Sequence, residues 1–290
     1  MREYSFTVGH VTDSGTVDAY LRRVLCLSGT VIKRVKYGGI RRNGEVVTVR
    51  AALSPGDIVE ISLPEENSEN VIPADIPLRI VYEDDYILCV DKPSGMPTHP
   101  SWGNHITTLA EAVSFYMGGQ FVFRAVNRLD RDTSGLVLIS KDMISATLLG
   151  RAMKNGEFSK TYTARLVGVP TPLVGRVDAP IEREAPDSQK RTVRADGRPS
   201  VTDYSVCSTC PGGCICTLRP HTGRTHQIRV HMAYIGHPLY ADAMYGTALP
   251  GETFSLRCTS MTFPHPATGK SMTVTLRGDN NDSLRPQMRT

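Results

Sequence analysis

Asp130 stands in a polar loop, Asn127-Arg128-Leu129-Asp130-Arg131-Asp132-Thr133-Ser134-Gly135, which runs straight into the apolar stretch Leu136-Val137-Leu138-Ile139. A carboxylate presented in this way can attack carbon and hold a reaction together as a covalent intermediate. Thr133, Ser134 and Gly135 suit a tight turn, and the apolar residues behind them suit a buried strand that anchors it. An aspartate beside arginine is more often half of a surface ion pair. Asp132 is read as that; Asp130 needs company to be read otherwise. Downstream, His221-Thr222-Gly223-Arg224-Thr225-His226-Gln227-Ile228-Arg229-Val230-His231 sets a glycine turn ahead of a helix whose first amides can face an anion. Lys160-Thr161-Tyr162-Thr163-Ala164 places a tyrosine on a strand near Lys154 and Lys160. Alone, a strand tyrosine is a packing residue.

Taken together, these stretches resemble the RluA/RluD-type pseudouridine synthases. The family signature R-L-D-x-x-T-S-G is matched at every specified position by residues 128–135, and its T-G-R-T-H-Q-I-R-V-H element by residues 222–231. Lys160, Tyr162 and Ala164 match its K-x-Y-x-A element. Tyr82-Glu83-Asp84-Asp85-Tyr86, Val90-Asp91-Lys92-Pro93-Ser94-Gly95 and His99-Pro100-Ser101 are similar to the start of its catalytic domain. Gly236-His237-Pro238-Leu239-Tyr240-Ala241-Asp242, followed by Tyr245-Gly246, is similar to a later element, so the resemblance covers about residues 78–278.

The resemblance implies an enzyme that turns uridine in RNA into pseudouridine, with Asp130 as the nucleophile and Arg229 as its cationic partner. Tyr162 would stack on the target base and take the proton from carbon 5, Arg128 would steady the space of the flipped base, and Arg224 would hold a phosphate. The residue types are compatible with attack on either the sugar or the base. Atoms are neither gained nor lost in this isomerisation, so no cofactor and no metal is expected. Two departures stand out: Asn127 where the family often has His, and Ser200 after Pro199 where a basic residue followed by Ala is more usual.

A formal net charge of +4 permits nucleic-acid binding without demanding it, so the placement of charge matters more. Cations gather early, at Arg22, Arg23, Lys33, Arg34, Lys36, Arg41 and Arg42. A charge run alone reads as a solvated face. Here it accompanies two short helices and an Asn43-Gly44 hairpin, then Pro55-Gly56-Asp57 and a strand. That order resembles the S-four-like RNA-binding module, which implies phosphate contacts from Lys33, Arg34, Lys36, Arg41 and Arg42 that position RNA without reading its sequence. Val17, Tyr20, Leu21, Val24 and Leu25 recur at helical spacing behind Ser14 or Thr16 as cap, and Ser28 or Thr30 opens the second helix over 31–36.

Seven cysteines without a secretory leader argue against a disulfide framework, and no apolar run approaches the roughly 18 residues that span a bilayer. A cytoplasmic monomer is the default expectation. Cys207, Cys210, Cys214 and Cys216 invite a zinc reading, but Pro211-Gly212-Gly213 between them reads as a hairpin turn that sends thiols to opposite faces. Ala267-Thr268-Gly269-Lys270-Ser271 imitates a phosphate loop without its leading glycine.

The expected organisation is a small α/β RNA-binding module over 1–64, a polar, proline-punctuated linker over 65–77 and a catalytic domain over 78–290. Strands are expected near 78–82, 87–90, 136–139, 160–167, 201–207, 215–218 and 272–276, and helices near 108–116, 142–155 and 225–235. Strands mixed with helices without regular alternation give an α+β class, a mainly antiparallel mixed sheet with flanking helices. Large-subunit ribosomal RNA is the favoured substrate. Transfer RNA, a binding-only ribosome-assembly factor, and a hydrolase or glycosylase using the same aspartate are the alternatives.

Overall fold

A computed structural model of the chain describes residues 1–9, 15–68, 71–100, 107–248 and 252–276. Ser14, Glu69, Asn70, Ser101 and residues 277–290 of the expected catalytic domain lie outside the described residues.

The N-terminal sheet has the strand order β1-β4-β2-β3, from β1 (Arg2–Thr7), β2 (Ile40–Arg42), β3 (Glu45–Val46) and β4 (Ile58–Leu63). Thr16 caps α1 (Val17–Ala19), which continues as a π-helical turn over Tyr20–Val24, and Ser28 caps α2 (Gly29–Val35) by accepting from the Val31 amide. Asn43 and Gly44 take φ of 53° and 84°, the left-handed pair a two-residue hairpin requires. The sequence reading omitted β1, although it pairs along its whole length with β4.

The large sheet runs β5-β6-β7-β14-β8-β13-β12-β9, with β15 added on β14. Its first strands are β5 (Arg79–Glu83), β6 (Ile87–Lys92) and β7 (Ser134–Ser140), with α3 (Leu109–Tyr116) before β7 and α4 (Met143–Lys154) after it. Next in the chain come β8 (Ser159–Val167), β9 (Val174–Asp178), and β10 (Ile181–Arg183) with β11 (Arg191–Val193), which form a separate two-stranded ribbon. The rest are β12 (Val201–Cys210), β13 (Gly213–Pro220), α5 (Gln227–Tyr234), β14 (Leu256–Pro264) and β15 (Ser271–Thr275). Among the described strands only β7 and β14 pair in parallel, so the sheet is mixed and mainly antiparallel, as expected. β6 is buried along its whole length and β7 from Gly135 onward, which is why both read as continuous apolar runs.

The N-terminal sheet is not detached from this body. Ile144 and Leu148 of α4 belong to its apolar core. The buried Tyr4 hydroxyl meets Asp142 Oδ1 and Oδ2 at 2.8 and 2.7 Å and Ser145 Oγ at 2.6 Å. Glu66, within the expected linker, pairs with Arg34 on one side and Arg124 on the other, each at 2.8 Å.

The cysteines of the β12–β13 hairpin do not converge. Cys214 and Cys216 are buried in the core, whereas Cys207 sits at a bulge, exposed, with its sulfur 3.0 Å from Thr217 Oγ1.

Candidate active site

The loop bearing Asp130 is held from below by groups that accept and donate within the fold. Asn127 bridges to β7, its Nδ2 donating to Leu136 O at 3.2 Å and its Oδ1 accepting from Leu138 N at 2.9 Å. The side chain at the unusual position therefore anchors the loop to β7. Thr98 Oγ1 donates to Leu129 O and accepts from Leu129 N, and Thr133 N closes the turn onto Asp130 O. Lys92 has no solvent exposure, and its ammonium donates to Pro93 O, Met96 O and Arg131 O at 2.8, 2.7 and 3.0 Å. Burial drives its pKa down to about 8, against the raising effect of Asp132, Asp130 and Asp91. Asp132 pairs with its neighbour Arg131 in solvent, the bland role expected of it.

Where the loop enters the sheet, Gly135 takes φ of +107° opposite Cys258 of β14. A Cβ there would lie 2.2 Å from Cys258 O, so only glycine fits.

The facing wall comes from residues 221–231. Gln227 organises it: its Oε1 accepts from Thr222 Oγ1 and Arg224 N, and its Nε2 donates to Val201 O and Thr202 Oγ1. His226 takes the left-handed conformation, φ 58°, at the start of α5. Its Nδ1 meets Tyr245 OH at 2.8 Å, and its Nε2 lies 3.8 Å from Asp130 Oδ2. Burial lowers its pKa despite the nearby Asp130, so the ring is neutral at physiological pH. His231 is wholly buried between Thr202 Oγ1 and Ala179 O and serves packing.

Between these walls lies a cleft of about 200 Å³ lined by Arg128, Asp130, Lys160, Tyr162, Arg224 and Arg229 among others. It opens at Arg128, Asp130, His226 and Arg229 into a groove of about 1000 Å³. The fold thus brings Asp130, Tyr162, Arg229, Arg128 and Arg224 together from segments about 100 residues apart. Tyr162 is 6% exposed, and burial, with Cys258 and Asp130 nearby, holds its phenol well above the ordinary range. Burial also lowers the Lys160 ammonium.

The expected direct pair between Arg229 and Asp130 is not what forms. Arg229 gives its Nε and Nη2 to Asp242 at 2.8 and 2.7 Å, and Asp242 is fixed in turn by the amides of Met244 and Tyr245. Burial opposes the Arg229 charge, but Asp242 and then Asp130 more than restore it and raise its pKa. Arg229 thus acts on Asp130 through space while leaving the carboxylate oxygens uncovered.

Lys33, Arg34, Lys36, Arg41 and Arg42 lie on the N-terminal module and line neither cavity. Arg34 is committed to Glu66, while Arg41 and Arg42 donate to the carbonyls of Gly44 and Ala52. Lys36 Nζ lies 4.4 Å above the exposed ring of Tyr37.

Lys92, Thr98, His226, Asp242 and Tyr245 belong to the site without having been assigned roles from the sequence. His226 lies within the stretch 221–231, and Asp242 and Tyr245 within 236–246. The signal was present, but nothing in the spacing showed that residues 226, 242 and 245 meet.

Residues 86–234 match the family described as RNA pseudouridylate synthase. An uncharacterised RNA pseudouridine synthase of Bacillus subtilis is 36% identical over 255 residues, which covers 86% of this chain and 90% of that protein. The ribosomal large subunit pseudouridine synthase D of Xanthomonas campestris is 39% identical over 220 residues, covering 74% of this chain and 66% of that protein. The solved structure of human RNA pseudouridylate synthase domain containing 1 superposes with a TM-score of 0.61 at 24% identity, covering 73% of this chain and 88% of that one, a likeness of fold.

Proposed function

The chain belongs to the RNA pseudouridylate synthase family and is a pseudouridine synthase, an intramolecular isomerase; from that premise we propose that Asp130 is its nucleophile and large-subunit ribosomal RNA its substrate. One observation carries the first part. Among the described residues, Asp130 is the only carboxylate lining the narrow cleft, and its oxygens are left uncovered by Arg229.

The reaction breaks the bond from N1 of uracil to the ribose, turns the base and joins carbon 5 to the ribose. Carbon 5 loses a proton and N1 gains one, so nothing is consumed. Asp130 holds the fragments as a covalent adduct while this happens. A base inside a folded RNA is out of reach, so the uridine leaves its stack and enters the cleft, with Arg128 beside the space it vacates. Tyr162 lines the cleft with Asp130, where it stacks on the base and is the side chain placed to take the carbon 5 proton; burial favours its neutral phenol between turnovers. Arg229, steered by Asp242, stabilises the charge of the departing carboxylate.

The ribosomal assignment is supported by the similarity to the large-subunit pseudouridine synthase D of Xanthomonas and by the cationic side chains of residues 1–64, read as an RNA-docking module joined through 65–77 to a catalytic domain over 78–290. Among the described residues no helix is long and apolar enough to cross a membrane.

The test is tritium release from RNA labelled at uridine carbon 5, with unmodified large-subunit ribosomal RNA and transfer RNA assayed separately. Wild type releases tritium from ribosomal RNA, and Asp130→Ala does not. Release by Asp130→Ala would remove the aspartate from the mechanism, and release from transfer RNA alone would replace the substrate.

A further inference from the structure

Beside the catalytic cleft lies a second cavity, of about 280 Å³, walled by Arg183, Arg191, Arg198 and Arg224 together with Thr225 and a single acid, Glu182. It shares Arg224 and Thr225 with the catalytic cleft, and Arg183, Arg191 and Thr225 with the wider groove. Three of its arginines come from the segment around the β10–β11 ribbon, which stands apart from both large sheets.

Packing and stability give no reason for this arrangement. In the ribbon Arg183 and Arg191 are direct cross-strand partners. Like charges placed directly opposite one another destabilise a strand pair. Glu182 offsets little, since its carboxylate is 4.0 Å from Arg191 Nη1. Arg191 Nε is shielded from solvent and has no hydrogen-bond partner, an orphaned donor that costs free energy until something accepts from it. Arg198 is exposed and makes no ion pair among the described residues, while Arg183 has only long contacts, 3.3 and 3.4 Å, to two carbonyls. An anion between these guanidinium groups would relieve the repulsion and satisfy the donor together. Planar forks around a small cavity suit the non-bridging oxygens of a phosphodiester.

The cavity is also tied to the chemistry. Arg191 N donates to Tyr245 OH, which meets His226 Nδ1, and His226 Nε2 faces Asp130. A group seated against Arg191 is therefore two side chains from the nucleophile.

We propose that Arg183, Arg191 and Arg198, with Arg224, clamp a backbone phosphate of the RNA next to the flipped uridine. The clamp rests on the reading of the adjacent cleft as the uridine site. It lets the enzyme grip the strand at the point where the base leaves the stack, without reading sequence.

The experiment measures binding of the full chain to transcribed large-subunit ribosomal RNA over a range of salt, for wild type and for Arg183→Gln, Arg198→Gln and the double variant. Loss of one neutralised phosphate makes the plot of log K against log salt shallower by about 1. The double variant is expected to show that change, with affinity about 10-fold or more weaker at 0.15 M salt. Arg183→Gln is expected to melt no lower than wild type, because it removes a repulsion. An unchanged slope and affinity would overturn the clamp, as would a lower melting temperature for Arg183→Gln, which would make the ribbon arginines structural. Tritium release by wild type on the same RNA checks the isomerase reading separately. Release with an unchanged slope sinks the clamp alone, whereas no release with a shallower slope leaves the phosphate contact standing and sinks the uridine site.

Discussion

Gly135→Ala is the sharpest test of how the sheet presents Asp130, the proposed nucleophile. The new methyl would lie 2.2, 2.6 and 2.8 Å from O, N and C of Cys258, all backbone atoms of the neighbouring strand. Neither side can yield by a rotamer change, so β7 and β14 must separate at their parallel junction, where Ser134 faces Arg257 and Gly135 faces Cys258. Forcing alanine into φ of +107° costs about 1–3 kcal/mol, and overpacking a buried strand junction about 1–3 kcal/mol more. At about 2–4 °C per kcal/mol for a body of this size, melting should fall by roughly 10 °C. A loop shift of about 1 Å at Asp130 should also lower kcat by about 100-fold. Gly150→Ala is the matched control: it sits inside α4 with nothing within 4 Å of its absent Cβ. There alanine should stabilise by about 0.5–1 kcal/mol and leave activity intact. Thermal melting and tritium release read both variants. If Gly135→Ala melted within 2 °C of wild type and turned over normally, the steric argument for the loop would be refuted.

Other perturbations follow from the same contacts. Asp242→Asn keeps an oxygen for the Met244 and Tyr245 amides but removes the charge that holds Arg229. Arg229 should then turn onto Asp130, lowering single-turnover rates by about 100-fold while RNA affinity in filter binding stays near wild type; an unchanged rate would deny the steering role. Tyr4→Phe removes the hydroxyl buried against Asp142 and Ser145 and should cost about 1–3 kcal/mol, seen as a lower melting temperature. An unaltered melt would mean the junction with α4 is held by apolar contact alone. Burial lowers the pKa of His226 and His231. Their unfolded counterparts titrate near about 6.5, so below that the unfolded chain binds more protons than the folded one. The stability they contribute is complete above about pH 6.5 and is lost on acidification, before the depressed carboxylates Asp84, Asp203 and Asp242 protonate at lower pH. Melting curves at pH 7.5 and 5.5 should differ, and identical ones would contradict the neutral histidines.

The chemistry of this chain is written locally, and the sequence by itself determined it. The loop around Asp130 and the stretch from Thr222 to His231 are contiguous, and a contiguous motif keeps its meaning wherever the fold carries it. The turn at Asn43-Gly44, the caps at Thr16 and Ser28, and the buried runs of β6 and β7 were legible for the same reason: each depends on a residue and its near neighbours. What escaped was set by distant partners. β14 lies between β7 and β8 at the centre of the sheet, yet its residues Leu256–Pro264 mix polar and apolar types without a clean period, because one strand neighbour is parallel and the other is shifted by a bulge. The choice of Asp242 over Asp130 as the partner of Arg229 depends on the chain after α5 turning back on itself. The opposition of Arg183 and Arg191 exists only in the register of a ribbon whose strands are seven residues apart in sequence. Charge, repulsion and desolvation act through space, so which residue faces Asp130 and which guanidinium stays unpaired were decided by tertiary structure alone.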